Sequence, residues 1–210
     1  MSIGGHRRDY LGTALLESEA SADPLEQFLE WFRAVETLEE EPTAMTLASV
    51  SADGQPSARM VLLKGIDARG FTFFTNYDSR KGGELAANPR ASLLFYWRAV
   101  ERQVRVEGRV ERVGDDESDA YFMTRPIEAR WSAYASPQSR PVHGRTDLEG
   151  LVDDVRQRFG DSVARPAWWG GFRVRPHAYE FWQGRPNRLH DRLRYESPDG
   201  TSWRRLRLAP

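Results

Sequence analysis

The chain is 210 residues long, with 30 lysine and arginine residues, 31 aspartate and glutamate residues and no cysteine. The formal net charge of -1 supplies no overall field for nucleic acid or an anionic membrane, and the lack of cysteine excludes disulfides, thiol catalysis and thiolate metal sites. The length suits one domain, and because no segment resembles a signal peptide or a membrane span, we expect a cytoplasmic protein.

An N-terminal arm and a helix are predicted first. Residues 1–22 are polar and small apart from the HRRDY cluster, so we predict a flexible arm there and a single domain over residues 23–210. Asp23 and Pro24 have the residue types of a helix cap and a first helical turn. The apolar residues that follow recur at helical spacing and predict a helix packed on the core: Leu25, Phe28, Leu29, Phe32, Val35 and Leu38.

From residue 43 the apolar period changes to two, which predicts antiparallel strands. The predicted strands cover 43–50, 58–64, 71–75, 91–97, 103–113, 172–182, 188–195 and 203–208, and the predicted helices cover 79–88, 115–124 and 147–159. A less regular segment with Ser136-Pro137-Gln138-Ser139 separates the last two helices. We therefore predict a mainly β fold with helices (α+β), in which the sheet closes or nearly closes into a barrel because closure removes exposed edges.

Several common chemistries lack their motifs in this sequence. It contains neither the glycine-rich dinucleotide fingerprint nor a Walker pattern, and no strand-turn-helix nucleophile motif. The histidines do not combine with acidic residues at metal-ligand spacing, so no metal site is predicted. They are His6, His143, His177 and His190.

The basic residues are almost all arginine, and the only lysines are Lys64 and Lys81. A lysine offers a compact point charge where a planar guanidinium does not fit, so both lysines are candidate anion contacts. Ser79-Arg80-Lys81 begins a predicted helix, where free backbone N–H groups and the helix dipole favour a phosphate. The alternative is that Arg80 and Lys81 are ordinary solvated charges, and that a bias toward arginine has left two lysines by chance.

A second cationic group occurs near the C-terminus, in Arg188-Leu189-His190-Asp191-Arg192. On a strand, Arg188, His190 and Arg192 share one face, where three cationic side chains repel one another unless an anion or an electron-rich ring lies among them. A bound ligand explains this pattern. The alternative is a surface strand whose charge is balanced by Asp191 and other acids, and the alternative for the preceding Trp182 is ordinary packing.

Several ordered segments along nearly the whole length of the chain match one family pattern: ARMVLLKG, FTNYDSRKGGELAANPRASLLFYW, ERQVRVEGRVER, YFMTRP, WWGGFRV, EFWQG and RLHDRLRY. In these segments the chain resembles the pyridoxine/pyridoxamine 5'-phosphate oxidase family. The resemblance implies a split-barrel FMN-binding fold and a homodimer with FMN at the subunit interface. It also implies oxidation of pyridoxine or pyridoxamine 5'-phosphate to pyridoxal 5'-phosphate, with dioxygen as electron acceptor and hydrogen peroxide as product.

The same resemblance implies which residues contact each ligand. The implied cofactor contacts are Arg59, Met60, Val61, Leu62, Leu63, Lys64, Phe74, Thr75, Arg80, Lys81, Gln103, Gln138, Ser139, Trp182 and Arg192. The implied substrate contacts are Lys64, Tyr121, Arg125, Arg188, Leu189 and His190, with Arg188 and His190 as the catalytic pair that orients and polarises the substrate. Arg59, Arg80 and Lys81 are expected to neutralise the FMN phosphate.

One position departs from the family pattern. Four residues after the arginine of YFxxRP the family carries a serine that donates to the substrate phosphate, and this chain has Ala129. Arg130 and Ser132 are the candidate replacement donors.

Two rival functions are open at this stage. One is a related split-barrel flavin oxidase that acts on another substrate, such as a phenazine precursor, although the phosphate-ready set of Lys64, Tyr121 and Arg125 disfavours it. The other is a flavin, deazaflavin or haem carrier without turnover, because a fold alone does not determine a function. The segment RLHDR disfavours the carrier.

Overall fold

The computed structural model describes Gly5 and residues 9–200 and 202–210. In this part of the chain there are five α-helices: α1 (Pro24–Val35), α2 (Arg80–Ala87), α3 (Asp115–Thr124), α4 (Ile127–Ala135) and α5 (Arg145–Phe159). The strands there are β1 (Ala44–Val50), β2 (Pro56–Leu62), β3 (Gly65–Asp67), β4 (Gly70–Asn76), β5 (Arg90–Trp97), β6 (Arg102–Arg112), β7 (Trp169–Gln183), β8 (Asp191–Glu196) and β9 (Arg204–Arg207). None of the helices in the described ranges is long and apolar enough to cross a membrane.

The strands form one antiparallel sheet in the order β2-β1-β5-β6-β7-β4-β3, and β8 and β9 extend it from β7. Between β2 and β3 the hydrogen bonding changes from one edge of the sheet to the other. The N–H of Leu63 donates to the Thr43 carbonyl next to β1, and that of Lys64 donates to the Thr72 carbonyl of β4, both at 2.9 Å. This crossing curls the sheet into a split barrel, so the predicted mainly β barrel is confirmed.

The barrel interior is filled by one face of each central strand together with α1. Val104 and Val106 of β6 are fully buried, as their alternation predicts, and Phe28 of α1 packs against Phe71 and Phe95 with centroids 4.9 and 5.0 Å apart. Asp23 caps α1 by accepting a hydrogen bond from the Leu25 N–H at 2.8 Å. The prediction that Leu38 joins the core is wrong, because α1 ends at Val35 and Leu38 is exposed.

Two local predictions need correction. The segment read as irregular contains α4, which has no fully buried residue and is held by Trp131 and Tyr134, the first of which donates to the Gly160 carbonyl at 2.8 Å. The strand predicted from Arg188 begins only at Asp191, because Pro186–Arg188 form a 3-10 turn in which Arg188 has φ 62°. Arg188 and His190 therefore precede the strand, and the shared strand face predicted for them with Arg192 is wrong.

Residues 9–22 lie along the barrel. The N–H groups of Leu11 and Gly12 donate to the Glu101 carboxylate at 2.7 and 3.1 Å, the Leu15 N–H donates to Asp191 at 3.1 Å, and the Leu15 side chain is buried. His6 of the HRRDY cluster and the two arginines after it lie outside the described residues. The division of the chain at residue 22 stays a prediction.

Candidate functional site

The start of α2 brings three of the predicted phosphate residues together, and two of them pair with one buried carboxylate. Glu84 of α2 is buried and accepts hydrogen bonds from Arg59 Nη2 at 3.0 Å and from Arg80 Nε at 2.8 Å. Lys81 Nζ donates to Gln138 Oε1 at 2.8 Å and to Thr75 Oγ1 at 3.1 Å. We call this group, formed by Arg59, Thr75, Arg80, Lys81, Glu84 and Gln138, the phosphate cluster.

The charges of the phosphate cluster favour an anion. Burial raises the pKa of Glu84, but hydrogen bonds from Ser49, Ser57, Arg80 and Arg59 outweigh that effect and hold the pKa at about 2, so the carboxylate is ionised. Burial, with the neighbouring Arg59 charge, lowers the pKa of Lys81 to about 8. Three cationic side chains and one carboxylate leave two positive charges in excess, which matches a phosphate dianion.

The hydrogen-bond partners of the Lys81 ammonium show whether its charge is already balanced. Its hydrogen bonds go to Thr75, Ser79 and Gln138, all of which are neutral. A half-buried cation that contacts only neutral oxygens gains free energy from a nearby anion. The donor set therefore fits the phosphate of FMN.

A second group forms where α3 meets β4 and β7. The Tyr121 ring stacks on Phe74 with centroids 4.0 Å apart, and Arg125 lies over the Trp169 ring at 4.9 Å. Burial raises the pKa of Tyr121 and lowers that of Arg125, so the phenol stays protonated and can donate a hydrogen bond. Arg125 Nη2 donates to the Ala129 carbonyl at 2.9 Å, while the buried Nε has no partner in the described part of the chain.

Lys64 is not joined to this second group by a side-chain contact. Its side chain is exposed, and its ammonium has no hydrogen-bond or ion-pair partner among residues 9–200 and 202–210. Its backbone N–H donates to the carbonyl of Thr72 in β4, the strand whose Phe74 stacks on Tyr121. The structure thus separates the two lysines into one half-buried and one exposed cation.

A third group, which we call the ring cluster, consists of Tyr10, Gln103, Trp182, His190 and Arg192. Trp182 and His190 have centroids 4.7 Å apart, and the Tyr10 ring stands edge-on to both at 5.5 and 5.3 Å. Gln103 lies opposite Trp182, and Trp182 opposite Arg192, so these three side chains share one face of the sheet. Sequence reasoning missed Tyr10 as a site residue, and the HRRDY cluster was its only signal.

His190 is a neutral hydrogen-bonding group in this arrangement. Its Nδ1 accepts a hydrogen bond from the Arg185 backbone N–H at 3.1 Å, which makes Nε2 the protonated nitrogen of the neutral ring. Burial, with the adjacent Arg188 charge, lowers the pKa of His190, so the ring is neutral at pH 7. His190 can therefore donate from Nε2, whereas Arg188 and Leu189 are exposed in the preceding turn.

The phosphate cluster and the ring cluster lie on opposite faces of the sheet. Arg59 pairs with Leu47, a fully buried core residue, so it points to the inner face, as Val61 does. Met60 and Leu62 alternate to the outer face and are exposed. Gln138 and Ser139, in the loop after α4, are exposed as well, and Ser139 has φ 71°. The outer face also carries the ring cluster, so one chain does not bring all the predicted cofactor residues together.

Two clefts of about 760 and 830 Å³ contain none of the predicted site residues. The first lies beside Tyr77 and Arg165, and the second beside Arg109 and Trp203. The first lining carries two arginines and two aspartates, and the second carries three arginines, His177 and three aspartates. Neither cleft therefore has the excess of positive charge that the phosphate cluster has.

The fold and the clusters define a split-barrel protein with a group of cationic side chains around a helix start. The family described as "Pyridoxamine 5'-phosphate oxidase" matches residues 32–159, and the family described as "Pyridoxine 5'-phosphate oxidase C-terminal dimerisation region" matches residues 169–210. The chain belongs to the pyridoxamine 5'-phosphate oxidase family.

Individual relatives agree with this assignment. The chain is 62% identical over 97% of both chains to a protein of Cupriavidus taiwanensis, and 57% identical over 100% of both chains to one of Bordetella petrii. Both are named pyridoxine/pyridoxamine 5'-phosphate oxidase. Among solved structures, PhzG from Burkholderia lata, in complex with tetrahydrophenazine-1-carboxylic acid, matches with a TM-score of 0.87 and 31% identity over 95% of this chain and 99% of that one.

Proposed function

We propose that this protein is an FMN-dependent oxidase that converts pyridoxine 5'-phosphate and pyridoxamine 5'-phosphate to pyridoxal 5'-phosphate, with dioxygen as electron acceptor and hydrogen peroxide as product. The observation that carries the proposal is the phosphate cluster, in which a half-buried lysine contacts only neutral groups beside two arginines. The 62% identity of the chain to a relative named for this activity supports the proposal, whereas the identity to PhzG is only 31%.

The proposed assembly is a homodimer with two FMN sites at the interface. This assembly accounts for the separation of the clusters, because the phosphate cluster of one chain can meet the ring cluster of its partner. Exposed apolar side chains lie on the outer face, with Met60 61% and Tyr96 50% exposed, and they suit burial against a second copy. The matched dimerisation region contains Trp182, His190 and Arg192.

The roles proposed for the residues follow from their positions. When bound, FMN supplies the hydride acceptor and the reaction with dioxygen. Arg59, Arg80 and Lys81 hold its phosphate, while Lys64, Tyr121 and Arg125 hold the phosphate of the substrate. Two separate anion sites would fix the positions of cofactor and substrate relative to each other, which supplies proximity and orientation for the reaction.

In the proposed catalytic pair, His190 and Arg188 orient and polarise the substrate. The His190 Nε2–H donates to a polar group of the substrate, because Nδ1 is already occupied. Arg188 adds a positive charge beside His190. Its backbone φ of 62° lies in the left-handed region, which costs a residue with a side chain about 1–3 kcal/mol and is typical of functional sites. Tyr10 covers Trp182 and His190 and reduces the access of water to them.

The proposal is tested by purifying the protein and recording its spectrum and turnover. A yellow flavin spectrum, with pyridoxal 5'-phosphate and hydrogen peroxide formed in equal amounts from both phosphorylated vitamers, is the expected result. Unphosphorylated pyridoxine serves as the control and should react poorly. Flavin bound without turnover would favour a carrier, and turnover of a reduced phenazine precursor alone would favour the related oxidase.

The affinity for FMN should depend on pH through Lys81. Because a phosphate dianion prefers the protonated ammonium and the pKa of Lys81 without cofactor is about 8, affinity should fall as the pH rises through about 8. The fall should approach tenfold per pH unit, measured by flavin fluorescence on the cofactor-free protein. A Lys81→Met variant should bind weakly with no such fall, and an unchanged slope in that variant would contradict the assignment.

The two candidate replacements for the missing serine at Ala129 differ in their hydrogen-bond partners. The Ser132 hydroxyl already donates to the Glu128 carbonyl at 2.9 Å, whereas Arg130 Nη1 contacts only Met123 Sδ at 3.7 Å and its buried Nε has no partner in the described residues. Arg130→Ala should therefore weaken the binding of the phosphorylated substrate by about 1.5 kcal/mol or more, which appears as a higher KM. Ser132→Ala should leave the KM unchanged. An unchanged KM in Arg130→Ala would refute this role.

A further inference from the structure

Glu180 of β7 is a carboxylate buried on the outer face of the sheet, where most side chains are polar. Its side chain is 3% exposed. Oε1 accepts from Arg192 Nε at 2.9 Å and from Arg192 Nη2 at 2.8 Å, and Oε2 accepts from Arg105 Nη2. Burying a carboxylate is costly unless it is paired and hydrogen-bonded, and the two guanidinium groups compensate this one.

The Arg192 guanidinium is held by a second acceptor as well. Its Nη1 donates to the Ala209 carbonyl at 2.8 Å, and the chain end is kept in place by the Leu208 N–H, which donates to the Arg192 carbonyl at 2.9 Å. An arginine has five N–H donors, so one remains on each terminal nitrogen. A planar group fixed at Nε, Nη1 and Nη2 cannot rotate, and its remaining donors have a set direction.

We propose that Glu180 is the positioning residue that sets the Arg192 guanidinium against the carbonyl-bearing edge of the flavin ring. This inference rests on the proposed function and takes Arg192, Trp182 and Gln103, which the family resemblance implies as cofactor contacts, as the residues that meet the flavin ring. These three are register neighbours on one face, and Glu180 precedes Trp182 by two residues on the same face of β7. The free donors on the two terminal nitrogens suit adjacent acceptors on a ring edge.

A double-mutant cycle tests this role on the cofactor-free and flavin-loaded full chain. Glu180→Gln should raise the dissociation constants of FMN and of riboflavin by the same factor, roughly tenfold, because the lost contact is at the ring and not at the phosphate. The flavin midpoint potential should shift to more negative values, since a displaced cation stabilises the reduced flavin less. In an Arg192→Ala background, Glu180→Gln should change neither quantity further.

The matched control is Glu196→Gln in the neighbouring strand β8. It removes a carboxylate that pairs with Arg194 and Arg204, and it should leave flavin binding unchanged. Should Glu180→Gln fail to fold, deletion of Ala209 and Pro210 removes the other anchor of Arg192 and should produce the same negative shift in potential. The inference is overturned if either change has no effect on the flavin, or if its effect persists in the Arg192→Ala background. A wild-type protein that binds no flavin would instead refute the proposed function.

Discussion

Replacement of Lys81 by alanine is expected to leave a protein that is purified without flavin and binds added FMN roughly ten to a hundred times more weakly. The Lys81 ammonium is half-buried beside Arg59 and contacts only Thr75, Ser79 and Gln138. A charge-assisted hydrogen bond to a phosphate is worth about 1.5–3 kcal/mol, and each 1.4 kcal/mol is about tenfold in affinity. The measurement is flavin content at purification, followed by titration with FMN.

Lys64→Ala is the matched control, because it removes the other lysine of the chain. The Lys64 side chain is exposed and has no partner in the described residues, so this variant should keep its flavin. Its KM for pyridoxine 5'-phosphate should rise, since we assign Lys64 to the substrate phosphate. Equal loss of flavin in both variants would contradict this division between the lysines.

Arg125→Ala should raise the KM for the phosphorylated substrates roughly ten- to a hundredfold while kcat changes little. Arg125 lies over Trp169, and its buried Nε has no partner in the part of the chain that the structure describes. Loss of binding that is equal in the ground and transition states raises KM alone. Steady-state kinetics on the flavin-loaded enzyme, with pyridoxine 5'-phosphate as substrate, measures the effect.

Arg145→Ala is a suitable control for that experiment. Arg145 is an exposed arginine at the start of α5 whose ion pair is with Glu149, one helical turn away. Such a surface pair contributes little to stability, so the variant should behave as wild type. An Arg125→Ala enzyme with unchanged KM, or one that loses FMN, would show that Arg125 does not hold the substrate phosphate.

The cap of α1 and the strand pattern of the barrel could be predicted because their signals are local. Asp23 and Pro24 mark the start of α1 by residue type, and the valines of β6 alternate with polar residues in step with the pleat. The cationic start of α2 was equally visible, since Ser79 caps the helix that presents Arg80 and Lys81. The helix α4 was missed because it has no buried stripe and is held by contacts with residues near 160.

By itself, then, the sequence determined the strands, the helix caps and the residue types of a phosphate site, and its resemblance to a family supplied the assignment of roles. Only the tertiary structure decided which distant groups meet: Glu84 with Arg59, Glu180 with Arg192, and Tyr10 with Trp182 and His190. It also placed the phosphate and ring clusters on opposite faces of the sheet. These pairings depend on strand register and on the closure of the barrel, which bring together residues that no local pattern relates.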